Sequence, residues 1–480
     1  MSGRQLPRHS GWLPEPDKFR DWVRTKLDHL RATDPDTDLG QAHYVIREFH
    51  DLIEQTPVIR EAFGRMFFQT LQNLDMRGVG QVRCFRAIAW RSSIIFEQVT
   101  SYTEMLQAFN SFLFHAPNFN EQRFWGGLIA FPFNATIDWP MASTAGLEVF
   151  NMSAVDAQLK KVFDVWAKYL ATEDSRDEVL FKTRDGGKTL GWFSVEGIQF
   201  LEKDLYSVPP DPFNPAVGPY PKAKFVDAYQ CIPNDPTEAY GYTSWDNFFT
   251  RKFKKNFRPV ESLTDNKVIV AACESDLNRI WLNVKATSQF WIKGQPYSAH
   301  DIINHDPEWK NEFGNGSCVF QAFLSARGYH RWNSPVNGTI VKSFVVPGTY
   351  FALCPSSDLD PSAPDLSQPY ISQVATRGVI FIKADDKDIG LMCFVAVGMA
   401  EVSTCEITVD DRQVVKKGDQ LGMFHHGGSS HCLLFRPSTA TKLKWNPKYI
   451  SDPPNPNELN KDYEDDGKHH IFLGQKIASV

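Results

Sequence analysis

The chain has 480 residues, which is enough for about two to four domains and a sizeable hydrophobic core. Hydrophobic residues make up 42% and charged residues 22%, the composition of an ordinary globular protein. The net charge of -6 and the lack of any long Lys/Arg cluster argue against a general nucleic-acid binder.

The eight cysteines are scattered, with no C-x-x-C pair and no regular spacing. This distribution favours buried thiols in a reducing compartment over a disulfide frame or a zinc site, and we predict no bound metal. The first residues lack the apolar segment of a signal peptide, and no apolar run approaches the roughly 20 residues that a membrane helix needs. The sequence therefore predicts a soluble, cytoplasmic protein without a stable membrane anchor.

Residues 1–206 are predicted to form a helical N-terminal domain. Ile46, Phe49 and Ile53 recur at helical spacing. Thr56 and Pro57 follow them as a typical N-cap and first helical position. A second apolar stripe, with charged residues on the opposite face, contains Leu159, Val162, Phe163, Trp166 and Leu170. The aromatic residues of these stripes are predicted to be core residues rather than a cofactor site.

A proline-dense segment, residues 207–236, is predicted to be a linker because proline cannot sit inside a regular element. One helix signal, SWDNFFTRKF, follows, and short β-branched runs then alternate with turn clusters. The runs are KVIVAAC, SCVFQAF, GTIVKSFVVPG, RGVIFIKA and GLMCFVAVGMAEV. Residues 237–480 are therefore predicted to be a mainly antiparallel β domain, which makes the chain an α+β protein.

Four local patterns in the second half carry the chemistry. They are WDNFFTRKFKKNFRPV (245–260), VIVAACESD (268–276) with KGQPYS (293–298) after it, GYHRWNSPVNGTIVKSFVVPGTYF (328–351) and KKGDQLGMFHHGGSSH (416–431). In the last pattern, Gly427, Gly428, Ser429 and Ser430 are predicted to form a loop between strands. Glycine reaches backbone conformations closed to other residues, and strain at a Gly–Ser bond can set the serine hydroxyl onto the preceding carbonyl. A G-G-S-S run alone is usually only a flexible turn.

Together the four patterns resemble the phosphatidylserine decarboxylase family over about residues 237–480. The family's F-F-x-R, A-D-G, Y-H-R-x-H and L-G-x-F-x-x-G-S-T segments correspond to residues 248–251, 273–275, 329–333 and 421–429. The helical half resembles the extension of soluble L-tryptophan decarboxylases from mushroom secondary metabolism. The phrases AACES, YHRW and GMFHHGGSS are also similar to that branch.

The resemblance implies a precursor that cleaves itself between Gly428 and Ser429. The Ser429 hydroxyl would attack the Gly428 carbonyl carbon and form an ester. Elimination and hydrolysis would then leave a pyruvoyl cofactor in place of Ser429. Its carbonyl takes up the electron pair left when the substrate loses CO₂. The large subunit, residues 1–428, and the small subunit, residues 429–480, would remain associated.

An activated serine needs a base, and the base usually needs an orienting carboxylate. The family's Asp-His-Ser triad is altered twice in this chain. Glu274 occupies the Asp position, and Asn333 stands where the family has its base, although Asn cannot take a proton at neutral pH. We favour His330 as the surviving base or as the later proton donor. The alternatives beside the cleavage segment, each of which could merely cap a turn, are His425, His426 and His431.

The resemblance implies a pyruvoyl-dependent decarboxylase of a free amino acid, L-tryptophan or a similar aromatic one. Phosphatidylserine decarboxylation is an alternative, disfavoured because the sequence has no basic amphipathic helix and no anchor. A catalytically silent binding or scaffold member is another alternative, kept open by Asn333. A pyridoxal-phosphate enzyme is disfavoured because the usual His-Lys pair is absent. The expected partner is a small-molecule substrate rather than nucleic acid, and homo-oligomerisation is left open.

Overall fold

The computed structural model describes residues 16–33, 39–79, 99–119, 131–141, 143–208, 220–287, 297–325, 327–351, 364–426, 429–446 and 470–480. Its helices are α1 (Pro16–Thr33), α2 (Tyr44–Gln55), α3 (Pro57–Val79), α4 (Tyr102–Phe112), α5 (Pro132–Met141), α6 (Thr144–Val149), α7 (Ser153–Leu170), α8 (Glu173–Val179), α9 (Val195–Leu201), α10 (Phe225–Ala228), α11 (Trp245–Phe249), α12 (Ala299–Ile302), α13 (Pro364–Val374) and α14 (Pro437–Ala440).

The strands are β1 (Thr183–Arg184), β2 (Thr189–Leu190), β3 (Val268–Val270), β4 (Ser275–Val284), β5 (Ser317–Leu324), β6 (Arg331–Asn333), β7 (Gly338–Val346), β8 (Arg377–Ala384), β9 (Leu391–Val397), β10 (Thr404–Ile407), β11 (Val414–Val415), β12 (Gln420–His425), β13 (Ser429–Phe435), β14 (Lys444–Trp445), β15 (His470–Ile471) and β16 (Lys476–Ser479). The five predicted β-branched runs all contain strands, namely β3, β5, β7, β8 and β9.

The predicted apolar stripes of the first half are helix faces. Ile46, Phe49 and Ile53 are buried on α2, and α3 begins at Pro57, where the missing N–H costs nothing. The second stripe lies on α7, where all five of its residues are buried. Helical periodicity therefore located these two helices and the side that each turns to the core.

An eight-stranded sheet forms the centre of the second half. Its strand order is β11-β7-β8-β9-β13-β5-β4-β15, and every neighbouring pair is antiparallel. Two three-stranded sheets, β10-β12-β6 and β14-β16-β3, accompany it. The α+β prediction, helices first and a mainly antiparallel β region after them, is confirmed.

The two faces of the central sheet belong to different hydrophobic clusters. Phe323 and Cys432 lie in the cluster that also contains Trp166 of the helical half. Phe320 and Leu433 belong to the cluster on the opposite face. Because side chains alternate along a strand, Ser429 shares the second face with Leu433, and its neighbour Ser430 shares the helix-covered face.

The proposed domain limits at residues 206 and 237 stay a prediction. Of the predicted linker, residues 209–219 lie outside the described residues, and α10 lies within its second part with Phe225 fully buried. Within the described ranges, none of the helices combines the length and apolarity needed to cross a lipid bilayer.

Candidate active site

The two serines of the fourth pattern lie in a strand, which corrects the prediction of a loop. Ser429 and Ser430 are the first residues of β13, and both pair with β5. Ser430 also pairs with Val397 of β9, so the strand is held from both sides. Gly427 and Gly428 lie outside the described residues.

The Ser429 side chain is fully buried, at 0% exposure, where its strand position faces Leu324. Its hydroxyl has no hydrogen-bond partner among the described residues. A buried hydroxyl without a partner costs free energy, and native proteins keep few of them. The Ser429 hydroxyl therefore lies in dry surroundings, with no described group competing for it.

His330 precedes β6 and is fully buried against the first pattern. Its ring lies 4.1 Å from the Phe249 ring, centroid to centroid, and its backbone oxygen accepts from the Phe424 N–H at 2.9 Å. Among the described residues, neither ring nitrogen has a hydrogen-bond partner of normal geometry. Burial and the nearby Arg251 charge hold the pKa of His330 well below its ordinary value, against an opposing effect of the Gly328 backbone. The imidazole is therefore neutral at pH 7 and able to accept a proton.

Arg251 fixes the turn that leads into His330. Its buried guanidinium donates to the carbonyls of Phe248, at 3.3 Å, and Gly328, at 2.8 Å, and also to the Arg327 carbonyl. This is a physical reason for the F-F-x-R pattern, because its arginine saturates carbonyls that would otherwise be buried without partners.

The third and fourth patterns interlock through Gly422 and Trp332. A Cβ atom at Gly422 would lie 2.5 Å from the Trp332 ring and 2.2 Å from the Glu406 carbonyl oxygen. Real Cβ atoms do not approach so closely, because protein interiors are already packed to crystal density. The glycine of L-G-x-F therefore leaves room for the tryptophan of Y-H-R-W.

Glu274 contacts a histidine, but not the one expected. Its carboxylate accepts from Arg258 Nε at 2.8 Å, from His470 Nε2 at 2.8 Å and from the Leu473 N–H at 2.9 Å. His470 Nδ1 lies 3.1 Å from Asp276. The expected pair of carboxylate and imidazole is therefore present, with His470 as its histidine. The short strand β15 brings His470 there by pairing with β4 beside Glu274.

In this group of residues, the Glu274–His470 cluster with Arg258 and Asp276, both Glu274 and His470 are ionised. Burial opposes the charge on Glu274, but Arg258 and His470 outweigh burial and lower the Glu274 pKa to about 2. Burial likewise opposes charge on His470, but Glu274 and Asp276 raise its pKa to about 9. At neutral pH His470 is therefore an imidazolium, which cannot act as a base.

The register also separates His470 from the serines. One row across the sheet runs His470, Asp276, Phe323 and Ser430, on four successive strands. Neighbouring strands lie about 4.8 Å apart, which places the ends of this row roughly 14 Å from each other. Ser429 adjoins the end of that row, beyond the reach of the His470 side chain.

Asn333 is buried at the end of β6. Its side-chain Nδ2 donates to the Gly418 carbonyl at 2.7 Å, and its backbone N–H donates to the Ala272 carbonyl at 2.8 Å. Its Oδ1 has no hydrogen-bond partner among the residues that the structure describes. Position 333 thus lies beside the backbone of the second pattern, while its side chain is tied to the turn before β12.

His425 is held between two carboxylates. Its Nδ1 lies 2.8 Å from Asp246 and its Nε2 lies 2.7 Å from Glu406. Burial would lower the pKa of His425, but the two carboxylates outweigh burial and raise it. Both ring nitrogens are thus occupied and His425 is a poor candidate for a base.

His426 and His431 are buried and neutral. His426 adopts a left-handed backbone conformation, φ 64°, immediately before the glycine pair, and burial lowers its pKa to about 4. His431 lies between Phe320 and Phe394, and burial lowers its pKa to about 3. A left-handed residue other than glycine stores strain of about 1–3 kcal/mol, here next to the predicted cleavage point.

Sequence reasoning missed the charged partners of the expected site residues. They are Asp246, Arg258, Asp276 and His470. His470 is 196 residues from Glu274, and a pair of histidines before a short apolar run gives no sign of such a contact. Asp246 and Arg258 lie inside the first pattern, among apolar residues. That setting alone could have suggested that each of them has a charged partner.

Comparison with known proteins gives matches over both halves. A family model described as phosphatidylserine decarboxylase matches residues 245–449, and a second of the same description matches residues 43–201. L-tryptophan decarboxylase of Psilocybe cubensis is 33% identical over 441 residues, covering 89% of this chain and 88% of that protein. Decarboxylase iboD of Amanita muscaria is 41% identical over 306 residues, covering 62% and 81%. Phosphatidylserine decarboxylase proenzyme 3 of Schizosaccharomyces pombe is 28% identical over 201 residues, covering 42% and 20%.

Proposed function

The chain belongs to the phosphatidylserine decarboxylase family, and from this premise we propose that it is a pyruvoyl-dependent decarboxylase of a free amino acid, L-tryptophan or a similar aromatic one. The observation that carries the proposal is the buried, unpartnered Ser429 hydroxyl at the start of β13, in a fold that also buries a neutral His330. The L-tryptophan decarboxylase of Psilocybe cubensis supports the substrate class because its match includes the helical half.

We assign self-cleavage to the bond between Gly428 and Ser429. Ser429 Oγ gives its proton to a base and attacks the Gly428 carbonyl carbon, and the peptide C–N bond breaks as an ester forms. Loss of the Ser429 Cα proton then expels the Gly428 carboxylate and leaves dehydroalanine. Its imine tautomer takes up water and releases ammonia, which leaves the pyruvoyl group at position 429.

His330 is our choice for the base. Its low pKa keeps the imidazole unprotonated at neutral pH, and no residue in the described ranges is a competing partner of normal geometry for its ring nitrogens. General-base assistance typically contributes about 10²–10⁴-fold in rate. Asn333 cannot serve in this role because an amide takes no proton at neutral pH.

Glu274 receives a supporting role in this proposal. Its carboxylate is saturated by Arg258, His470 and the Leu473 N–H, so it has no free lone pair directed at another histidine. We propose that Glu274 anchors the C-terminal strands to β4, next to the segment that leads to the active site, and does not orient the base.

When present, the pyruvoyl carbonyl serves as the sink for the electron pair released with CO₂. At position 429, the pyruvoyl group would lie between β5 and the hydrophobic cluster that contains Phe320 and Leu433. The surrounding apolar residues exclude water, and His330 can take a proton from the substrate ammonium group and return it to carbon.

The test is a denaturing gel and an intact mass of the purified protein. We expect two chains, residues 1–428 and 429–480, and CO₂ release from L-tryptophan without added pyridoxal phosphate. Phenylhydrazine should inactivate the enzyme and add its mass to the N-terminus of the small chain. A chain that stays intact on prolonged incubation would overturn the proposal in favour of a silent binding protein. Cleavage with activity only on phosphatidylserine would overturn the substrate class.

A further inference from the structure

Four neutral polar side chains form a connected group in the helix-covered face of the sheet, directly behind the precursor serine. Tyr297, Gln321, Gln368 and Ser430 are each at most 2% exposed. All four lie in an apolar environment, where polar groups are tolerated only when hydrogen-bonded. We call them the Gln321 network.

Gln321 is the centre of this network. The Tyr297 hydroxyl donates to Gln321 Oε1. Gln321 Nε2 in turn lies 3.2 Å from Gln368 Oε1 and 3.4 Å from Ser430 Oγ. Gln321 pairs with Cys432, so Ser430 is its diagonal neighbour on the same face of the sheet. With the Tyr297 hydroxyl donating to Oε1, the NH₂ group of Gln321 is directed at Ser430.

The network also reaches the other strand that flanks Ser430. Gln368 Nε2 lies 3.3 Å from the sulfur of Met399, two residues beyond Val397, the partner of Ser430 on β9. Tyr297 itself belongs to the KGQPYS pattern, for which the proposed chemistry gives no role. Its neighbour Ser298 donates its backbone N–H to Gln373 of α13, at 3.1 Å, on the helix that carries Gln368.

Self-cleavage requires that the start of β13 stays in place both before and after the bond breaks. Residue 429 becomes a chain end, and chain ends fray unless side chains or backbone pairing tie them down. Before cleavage, a displacement of about 1 Å between reacting groups can slow a reaction about 100-fold. The hydroxyl of Ser430 is the first side-chain anchor after the bond that breaks.

We propose that Tyr297 and Gln321 are positioning residues, which act through the Ser430 hydroxyl to hold position 429 for self-cleavage and to anchor the new chain end afterwards. This inference rests on the proposed cleavage between Gly428 and Ser429. It predicts that the phenol of Tyr297 and the hydroxyl of Ser430 are coupled, although they do not touch each other.

The test is a double-mutant cycle on the cleavage rate, followed by gel after synthesis of the full chain in a cell-free system. Tyr297→Phe and Ser430→Ala should each slow cleavage about 10-fold, as expected for one broken buried hydrogen bond. The double variant should be no slower than the slower single variant, because both remove the same chain of contacts. Ser430→Thr, which keeps a hydroxyl, should restore most of the rate.

Tyr242→Phe is the matched control. Tyr242 is also buried, and its hydroxyl donates to the Gln230 carbonyl at 3.1 Å, away from the Gln321 network. It should lower thermal stability to a similar extent as Tyr297→Phe while changing the cleavage rate less than about twofold.

Single variants that cleave at the wild-type rate, or effects that multiply in the double variant, would overturn the inference. If Tyr297→Phe failed to fold, the comparison of Ser430→Ala with Ser430→Thr would decide alone, and equal rates would overturn it. An intact wild-type chain would instead overturn the proposed function and this inference with it.

Discussion

The second half of the chain buries histidine in two opposite states. In the Glu274–His470 cluster, every charge has a partner: His470 lies between two carboxylates, and Arg258 and the Leu473 N–H complete the shell of Glu274. By contrast, the Ser429 hydroxyl and both ring nitrogens of the neutral His330 have no hydrogen-bond partner of normal geometry among the described residues. The same residue type is an imidazolium in one region and a free base in the other.

The comparison indicates that the buried groups that stabilise the fold are different from the buried groups that are available for reaction. A buried ion cluster with all its partners holds elements together and is very costly to break, but it has no lone pair or proton to spare. Buried polar atoms without partners weaken the fold and are kept where chemistry needs them. A carboxylate–histidine contact alone is thus a poor guide to the base in this protein.

The largest expected effect is that of Ser429→Ala. Without the hydroxyl there is no nucleophile, and the chain should remain a single species of 480 residues. Intact mass spectrometry measures this directly. Ser430→Ala is the matched control, since it removes an identical hydroxyl one residue away and should still cleave to completion, only more slowly. A small chain produced by Ser429→Ala would refute the assignment of the cleavage point.

The second largest effect is expected at His330. His330→Ala should slow cleavage by about 10²–10⁴-fold, since it removes the proposed general base. Asn333→His should change the rate little, because the side chain at position 333 is tied to the Gly418 carbonyl and the role of base is assigned to His330. A gel time course distinguishes these results. Strong acceleration by Asn333→His would show that the family's base position still works, and it would contradict the role given to His330.

The third effect is expected in the free energy of unfolding. Glu274→Gln leaves the Arg258 guanidinium buried beside a neutral amide, which should cost about 3–5 kcal/mol in the free energy of unfolding. Urea unfolding measures this cost, and the folded fraction should still cleave. A variant of normal stability that failed to cleave would return Glu274 to the cleavage machinery.

The same cluster predicts a pH dependence. The pKa of His470 rises from 6.5 to about 9 on folding, so its contribution is complete below pH 6.5 and is lost as the pH rises through about 9. The contribution of His470 to the free energy of unfolding is up to about 3 kcal/mol, as calculated from the shift of its pKa. Urea unfolding at pH 6 and pH 9.5 should therefore show an alkaline loss of stability that His470→Gln reduces. Equal losses in both proteins would contradict the ionised state of His470.

Much of this arrangement was predictable from local patterns, and the rest depends on contacts between distant segments. Apolar periodicity located α2 and α7, and β-branched runs located five strands of the second half. The fourth pattern indicated Ser429 as the reactive residue, which stays a prediction. The strand character of Ser429 and Ser430 was missed because pairing with β5, and for Ser430 also with β9, overrides the flexibility that glycine and serine suggest.

The partner of Glu274 could not be predicted from the sequence. The contact with His470 depends on the pairing of β15 with β4 across 196 residues, and nothing local encodes that register. His330 shows the complementary case, because the pattern indicated the residue but its lowered pKa follows from burial beside Phe249 and Arg251.

The smallest effect is expected at His425, which combines features of both regions. It adjoins the cleavage segment as the reactive region does, yet it is held between Asp246 and Glu406, which raise its pKa, as His470 is held between its carboxylates. Glu406 is 46% exposed, so solvent and salt screen its pair. His425→Gln should therefore cost only about 1 kcal/mol at pH 6 and change the cleavage rate less than about threefold.

Because folding raises the pKa of His425, the stability difference should shrink as the pH rises above its ordinary value of 6.5. Thermal unfolding of both proteins from pH 6 to pH 9, at low and high salt, checks the sign. If the cleavage rate fell more than about tenfold instead, a histidine with partners on both ring nitrogens would belong to the machinery, and the division between the two regions would fail.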